Sequence, residues 1–157
     1  MKAKRIVISV LALALVFGLA ACGAKAEPAF ADVSSAVDSA AKTDAMTPVD
    51  SGYIKGMMGL DSDAYTDAEV LVTSSGTAID EYGVFKAADA KGAEAVKTAV
   101  EAYIQQRIDT WMGYTPEELP KLEDADVTVQ GSYVLYTILG QSETAAAQTA
   151  FLNKPAK

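Results

Sequence analysis

Arg107 stands between Tyr103 and Trp111 at four-residue steps, so on a helix its guanidinium shares a ridge with two aromatic rings on the face that should be buried. A cation there needs an anionic partner. Upstream, Ile79, Glu81, Gly83 and Phe85 share one face of a strand, and if the two apolar members point toward the helix then Glu81 does too. The expected contact is a structural ion pair between Arg107 and Glu81, with Asp80 as the substitute partner in the inverted register. Two other uses of Arg107 stay open on spacing alone: snorkelling past the aromatics to water, and binding a ligand carboxylate. Asp61-Ser62-Asp63-Ala64-Tyr65-Thr66-Asp67 sets oxygen donors at alternating positions, as a calcium loop does. Such a loop wants Gly at its sixth position and Glu at its twelfth, where this chain has Thr66 and Val72. Asp61, Asp63 and Asp67 therefore read as a solvated acidic turn, and no metal or other cofactor is expected.

Missing chemistry excludes more than present motifs suggest. The chain has no His, which removes the commonest general base, the usual hydrolase triad and most zinc sites. Ser34, Ser35, Ser74, Ser75 and Lys55 form neither a Gly-x-Ser-x-Gly elbow nor a Ser-x-x-Lys pair. Paired carboxylates for glycoside hydrolysis find no support, since acids occur throughout the chain without an evident cleft. No catalytic residue is assigned.

A second chemistry lies near the N-terminus. Lys2, Lys4 and Arg5 precede an apolar run from Ile6 to Gly18, followed by Leu19-Ala20-Ala21-Cys22-Gly23. A basic segment, a short apolar stretch and small residues at the cut site make an export signal rather than a spanning helix, which needs about 20 apolar residues. The end of that stretch resembles the lipobox of bacterial lipoproteins, in which the thiol is acylated and the chain is cut just before it. The resemblance implies a signal peptide over residues 1–21, lipidation of Cys22 and a location on the extracytoplasmic face of the cell membrane. The competing readings are an uncleaved signal anchor, or cleavage at a nearby Ala with Cys22 incidental. Acylation would also remove a free exposed thiol.

Loss of residues 1–21 takes away three basic and no acidic side chains, leaving ten against twenty-one and a net charge of −11. That balance disfavours nucleic acid and repels anionic headgroups, so attachment would come from lipid alone. With one Cys no intrachain disulfide can form, and the mature chain must be stabilised by its core. Residues 22–29 read as the lipidated Cys and a short tether, residues 30–153 as one domain, and 154–157 as a frayed tail.

Within that domain, Phe30, Val33 and Val37 predict a first helix over 30–42. Pro48, Gly52, Gly56 and Gly59 punctuate an irregular stretch, a packed loop or a single helical turn. Strands are expected at Glu69 to Ser74 and Ala78 to Ala87, joined as an antiparallel hairpin through Ser75-Gly76. Lys91 to Met112 is a long amphipathic helix, with Val96, Val100, Tyr103, Ile104, Ile108 and Trp111 on one face. Thr115 is read as the N-cap of a short helical turn, with Pro116 first, Glu118 completing a capping box, and Pro120 ending or kinking it. Val127 to Val129 and Tyr133 to Leu139 form a last strand pair across Gly131-Ser132, the second apolar on both faces and therefore central. Residues 142–152 read as a helix capped by Ser142. The fold class is α+β: a small antiparallel sheet packed against a long amphipathic helix, with additional short helices.

Ile79-Asp80-Glu81, Val84-Phe85-Lys86, Arg107, Tyr114-Thr115-Pro116-Glu117-Glu118, Val127 and Gly131-Ser132-Tyr133-Val134-Leu135 occur in an order that resembles the DUF4358 family, a domain of unknown function. The resemblance spans about residues 33–152 and implies a small exported lipoprotein of a Gram-positive bacterium, with no activity or catalytic residue to carry over. The chain departs from the pattern at Tyr82-Gly83, which leaves a small residue on the inward strand face. A tether, an acidic domain and absent catalytic chemistry together favour a non-enzymatic binding module, its partner another envelope protein or a small ligand. The alternatives are an accessory subunit or small cofactor-free enzyme using carboxylate and Tyr groups, and a lipoprotein that captures a metal or solute through oxygen ligands.

Overall fold

A computed structural model describes residues 27–41 and 46–154; the signal segment, Cys22 and residues 155–157 lie outside the described residues. The elements run α1 (Phe30–Ala41), β1 (Met46–Pro48), α2 (Ser51–Met58), β2 (Asp67–Thr73), β3 (Glu81–Lys86), α3 (Ala90–Trp111), α4 (Leu119–Glu123), β4 (Asp126–Gln130), β5 (Tyr133–Ile138) and α5 (Gln141–Leu152). The strands form one sheet in the order β1-β2-β3-β5-β4, antiparallel throughout. This is the expected α+β class. No helix among the described residues is long and apolar enough to cross a membrane.

Period-two alternation divides the core in two. Val70, Phe85, Val134, Tyr136 and Ile138 face α3, where Val96, Val100, Tyr103 and Ile104 cover them. Leu71, Tyr82, Val84, Tyr133 and Leu135 face the other way, against Val33 and Val37 of α1 and Phe151 of α5. Every residue of β5 is buried, because β3 and β4 flank it and helices cover both faces. Asp89 opens α3 by accepting from Gly92 N at 2.8 Å.

The structure corrects several local expectations. The stretch read as irregular contains α2, two helical turns framed by Asp50, whose carboxylate accepts from Tyr53 N at 2.9 Å, and by Gly59 in the left-handed region at φ 68°. Burial of Ile54 and Met58 outweighs the poor helix propensity of the intervening glycines. Residues 78–80 precede β3 rather than belonging to it, so the hairpin connection is longer than Ser75-Gly76. Pro120 begins α4 instead of ending a helix, occupying the first turn where a missing N–H costs nothing. Thr115 caps nothing: its hydroxyl has no hydrogen-bond partner, and Glu118 reaches across to Ile79 N at 3.3 Å and Lys121 Nζ at 2.8 Å. Ser142 sits inside α5, whose cap position is Gly140.

Residues 27–29, in the segment read as the end of the tether, lie against the domain. The Glu27 carboxylate accepts from Ser132 N at 2.7 Å and from the Ser132 hydroxyl, and Tyr133 donates to the Pro28 carbonyl at 2.7 Å. Ser132 belongs to the two-residue β4–β5 turn, made possible by Gly131 at φ 62°. That turn lies beside Lys86, at the far end of β3 from Glu81. Six strand residues separate the two ends, roughly 17 Å.

Candidate functional site

At the end of the sheet away from Glu27, Glu81 opens β3 with its side chain toward α3 and 1% of its surface exposed. Arg107 Nη1 donates to its Oε2. Tyr103 OH lies 3.0 Å from both carboxylate oxygens, and Tyr136 OH donates to Oε1 at 2.6 Å. Tyr53 of α2 extends the network, its hydroxyl 3.3 Å from that of Tyr103. Four donors and acceptors from α2, α3 and β5 thus surround one buried carboxylate. The guanidinium lies over the rings of Tyr103 and Trp111, 5.7 and 5.9 Å from their centroids, as the ridge spacing anticipates.

Gly83 makes this arrangement possible. It pairs directly with Tyr136 across the β3–β5 ladder, and the two point toward the same face. A Cβ on residue 83 would lie 2.8 Å from Val70 Cγ2 and closer still to Tyr136 Cε1. The missing side chain is the space that the Tyr136 ring crosses to reach Glu81. Tyr136 lies in the run expected as a central strand, whose pattern does not reveal the hydroxyl's role; a glycine on the inward face beside a carboxylate was the available signal.

Asp80 is directed elsewhere. Its carboxylate lies 3.0 Å from Lys121 Nζ, which Glu118 also approaches at 2.8 Å, so Asp80 does not stand in for Glu81. Asp61 pairs with Lys55 at 2.5 Å, and Asp67 accepts from Thr66 at 3.1 Å at the start of β2. Among the described residues no group of three metal-ligating side chains converges.

Burial pushes the Glu81 carboxyl above its ordinary range, opposed by the Arg107 guanidinium and by the Tyr136 and Tyr103 hydroxyls. For Arg107, burial works against the charge, but the Glu81 carboxylate and the Tyr103 hydroxyl outweigh it, so the proton is held more firmly. Burial also raises Tyr103 and Tyr136, with the neighbouring carboxylate adding to the shift, which keeps both phenols as donors. A carboxylate so occupied and so enclosed holds Arg107 in place; it is poorly placed to take a proton from an incoming molecule.

A pH dependence follows from the direction of the Glu81 shift. The native state binds this proton at higher pH than the unfolded chain, so its stabilising contribution is complete below the ordinary value of 4.5 and is lost as pH rises through the folded value. The urea midpoint of the wild type, relative to that of Glu81→Gln, should therefore rise as the buffer is taken from about pH 7 to about pH 5. A flat difference would mean that folding leaves this carboxyl unshifted, and one that falls would mean that folding favours its ionised form.

Above this network the surface changes character. Tyr114 is 79% exposed, Met112 59% and Met57 46%, and Trp111 is partly exposed beside them. Shallow depressions flank Arg107 and Trp111, one toward Tyr53 and Met57, another toward Ser75 and Gly76. The turn after α3 carries Tyr114 outward.

The architecture and site define a helix-covered antiparallel sheet with a buried, compensated ion pair beneath an exposed aromatic surface. Residues 25–139 match the model of the domain of unknown function DUF4358, and the chain belongs to that family. No curated protein and no solved structure matches the chain. The matched region ends just before α5, although α5 covers one face of the sheet with α1.

Proposed function

We propose that this chain is an exported cell-envelope protein, held on the extracytoplasmic face of the membrane by acyl chains on Cys22, and that it acts as a non-enzymatic binding module. The observation that carries the reading is the polarity of the domain. Glu27, through which the chain enters, is fastened to the β4–β5 turn, while Met57, Trp111 and Tyr114 cluster around the opposite end of the sheet. A lipid at Cys22 would leave that second end facing outward. Trp, Tyr, Met and Arg are the side chains enriched where proteins bind partners. The runner-up, a small cofactor-free enzyme using carboxylate and Tyr groups, would rest on the Glu81 network, and the enclosure of Glu81 argues against it.

Intact-mass analysis of protein from the detergent phase of host membranes tests the anchor. The expected species is residues 22–157 carrying a diacylglyceryl group, absent when Cys22→Ser is expressed. A soluble, unmodified wild-type product would overturn the anchored reading.

A further inference from the structure

We propose that the surface around Trp111 binds an uncharged polysaccharide, without cleaving it; this rests on the reading above that the tether-distal end is a binding face. Three depressions of about 240, 270 and 400 Å³ adjoin there, each lined by Trp111. Together they reach the range of ligand clefts, about 300–1,000 Å³. All are shallow and open, which suits an extended chain lying across the surface better than a small molecule enclosed within it.

The charge balance narrows the ligand. Three charged side chains line these depressions, and the one cation among them is already paired: Arg107 with Glu81, while Asp80 shares Lys121 with Glu118. An anionic ligand would find no uncompensated cation there and would approach a domain carrying excess negative charge. What the surface offers instead is aromatic faces bordered by neutral hydrogen-bonding groups. Trp111 and Tyr114 meet at 61° with centroids 6.4 Å apart, forming a corner of two rings. The C–H face of a pyranose can lie on one ring while its edge rests against the other. Gln106 and Thr110 border that corner on α3. The Thr110 hydroxyl donates to the Gln106 carbonyl at 2.8 Å, which leaves its oxygen free to accept from a sugar hydroxyl. Thr115 lines the same depression on the other side, with its hydroxyl oxygen turned inward and buried. Two aromatic rings bordered by the neutral polar side chains of Gln106 and Thr110 suit a polyhydroxylated ligand, since a sugar both donates and accepts.

The chain contains one Trp, so its intrinsic emission reports directly on this surface. The test titrates the full-length protein, taken from whichever host fraction holds it, with a hexamer of β-1,4-linked N-acetylglucosamine and with a β-1,4-glucan hexamer. A polygalacturonate hexamer serves as the charged control. Saturable change in Trp111 emission with at least one neutral oligomer is expected, with the charged oligomer at least ten-fold weaker. Tyr114→Ala should weaken the neutral oligomer about ten-fold while leaving the urea midpoint unchanged, because Tyr114 is largely exposed. Emission unaffected by either neutral oligomer at millimolar concentration overturns the sugar assignment. In that event a photo-crosslinking residue at position 114 separates two cases in the host envelope. A crosslink to one envelope protein overturns the sugar assignment alone, and no crosslink to any component overturns the binding face itself.

Discussion

Gly83→Ala is expected to lower the free energy of unfolding by about 3–4 kcal/mol, combining overpacking at about 1–3 kcal/mol with one buried hydrogen bond broken at about 1–3 kcal/mol. The added methyl has nowhere to go: Val70 Cγ2 lies 2.8 Å from its position, and the Tyr136 ring is nearer. Tyr136 is fully buried, so the ring cannot swing toward solvent. Any shift also takes its hydroxyl from Glu81 and disturbs its stacking on Phe85, where the ring centroids are 6.3 Å apart. The same methyl at Gly56, within α2 and with nothing within 4 Å, should instead add about 0.5–1 kcal/mol through helix propensity. Urea unfolding of the two variants checks both signs. A Gly83→Ala midpoint matching that of the wild type would mean that Tyr136 does not cross residue 83.

Arg107→Ala should cost more still at neutral pH, about 3–5 kcal/mol, the range for removing one partner of a buried pair. The guanidinium side chain is 13% exposed and Glu81 1%, so water cannot readily replace the lost charge. Glu81 would keep its tyrosine donors but lose its neutralising cation, and it would take up a proton more readily than in the wild type. The deficit should therefore shrink in acid. In the Glu81→Gln background, Arg107→Ala should cost substantially less than in the wild type, since the attraction between the pair is already gone. Unfolding free energies for both singles and the double provide the coupling. Additive single-variant losses would show that Arg107 contributes packing on Tyr103 and Trp111 rather than charge.

What the sequence made legible followed from periodicity. The α3 register placed Arg107 between Tyr103 and Trp111, and the β3 register turned Glu81 toward it; both patterns run long enough to set a face. The doubly apolar run of β5 likewise marked a central strand. Short elements resisted the same treatment. Three residues of β1, ending in Pro48, are too few for alternation to register, and α2 carries glycines that ordinarily break helices, so its caps Asp50 and Gly59 were the better signal. Pro120 was ambiguous because proline both follows helices and opens them, and only contacts across the fold decide between the two. The tyrosine donors were hidden for another reason. Which hydroxyl reaches Glu81 depends on strand neighbours 55 residues apart, and local pattern carries no such information.

The order of strands also bears on how the chain folds. In the sheet, β4 pairs with β5 alone, and β3 has β5 as one of its two neighbours. A chain synthesised or delivered from its N-terminus therefore presents β4 before anything exists for it to pair with, and holds Glu81 without the donor on Tyr136. Pairing β5 with β3 joins segments far apart in sequence and carries a larger loop-closure cost than the local β4–β5 hairpin. The domain has no self-sufficient N-terminal half: fragments ending before residue 133 lack the strand that joins β4 to the rest of the sheet. Until β5 is present, only β1, β2 and β3 can pair, and β4 has no neighbour in the sheet.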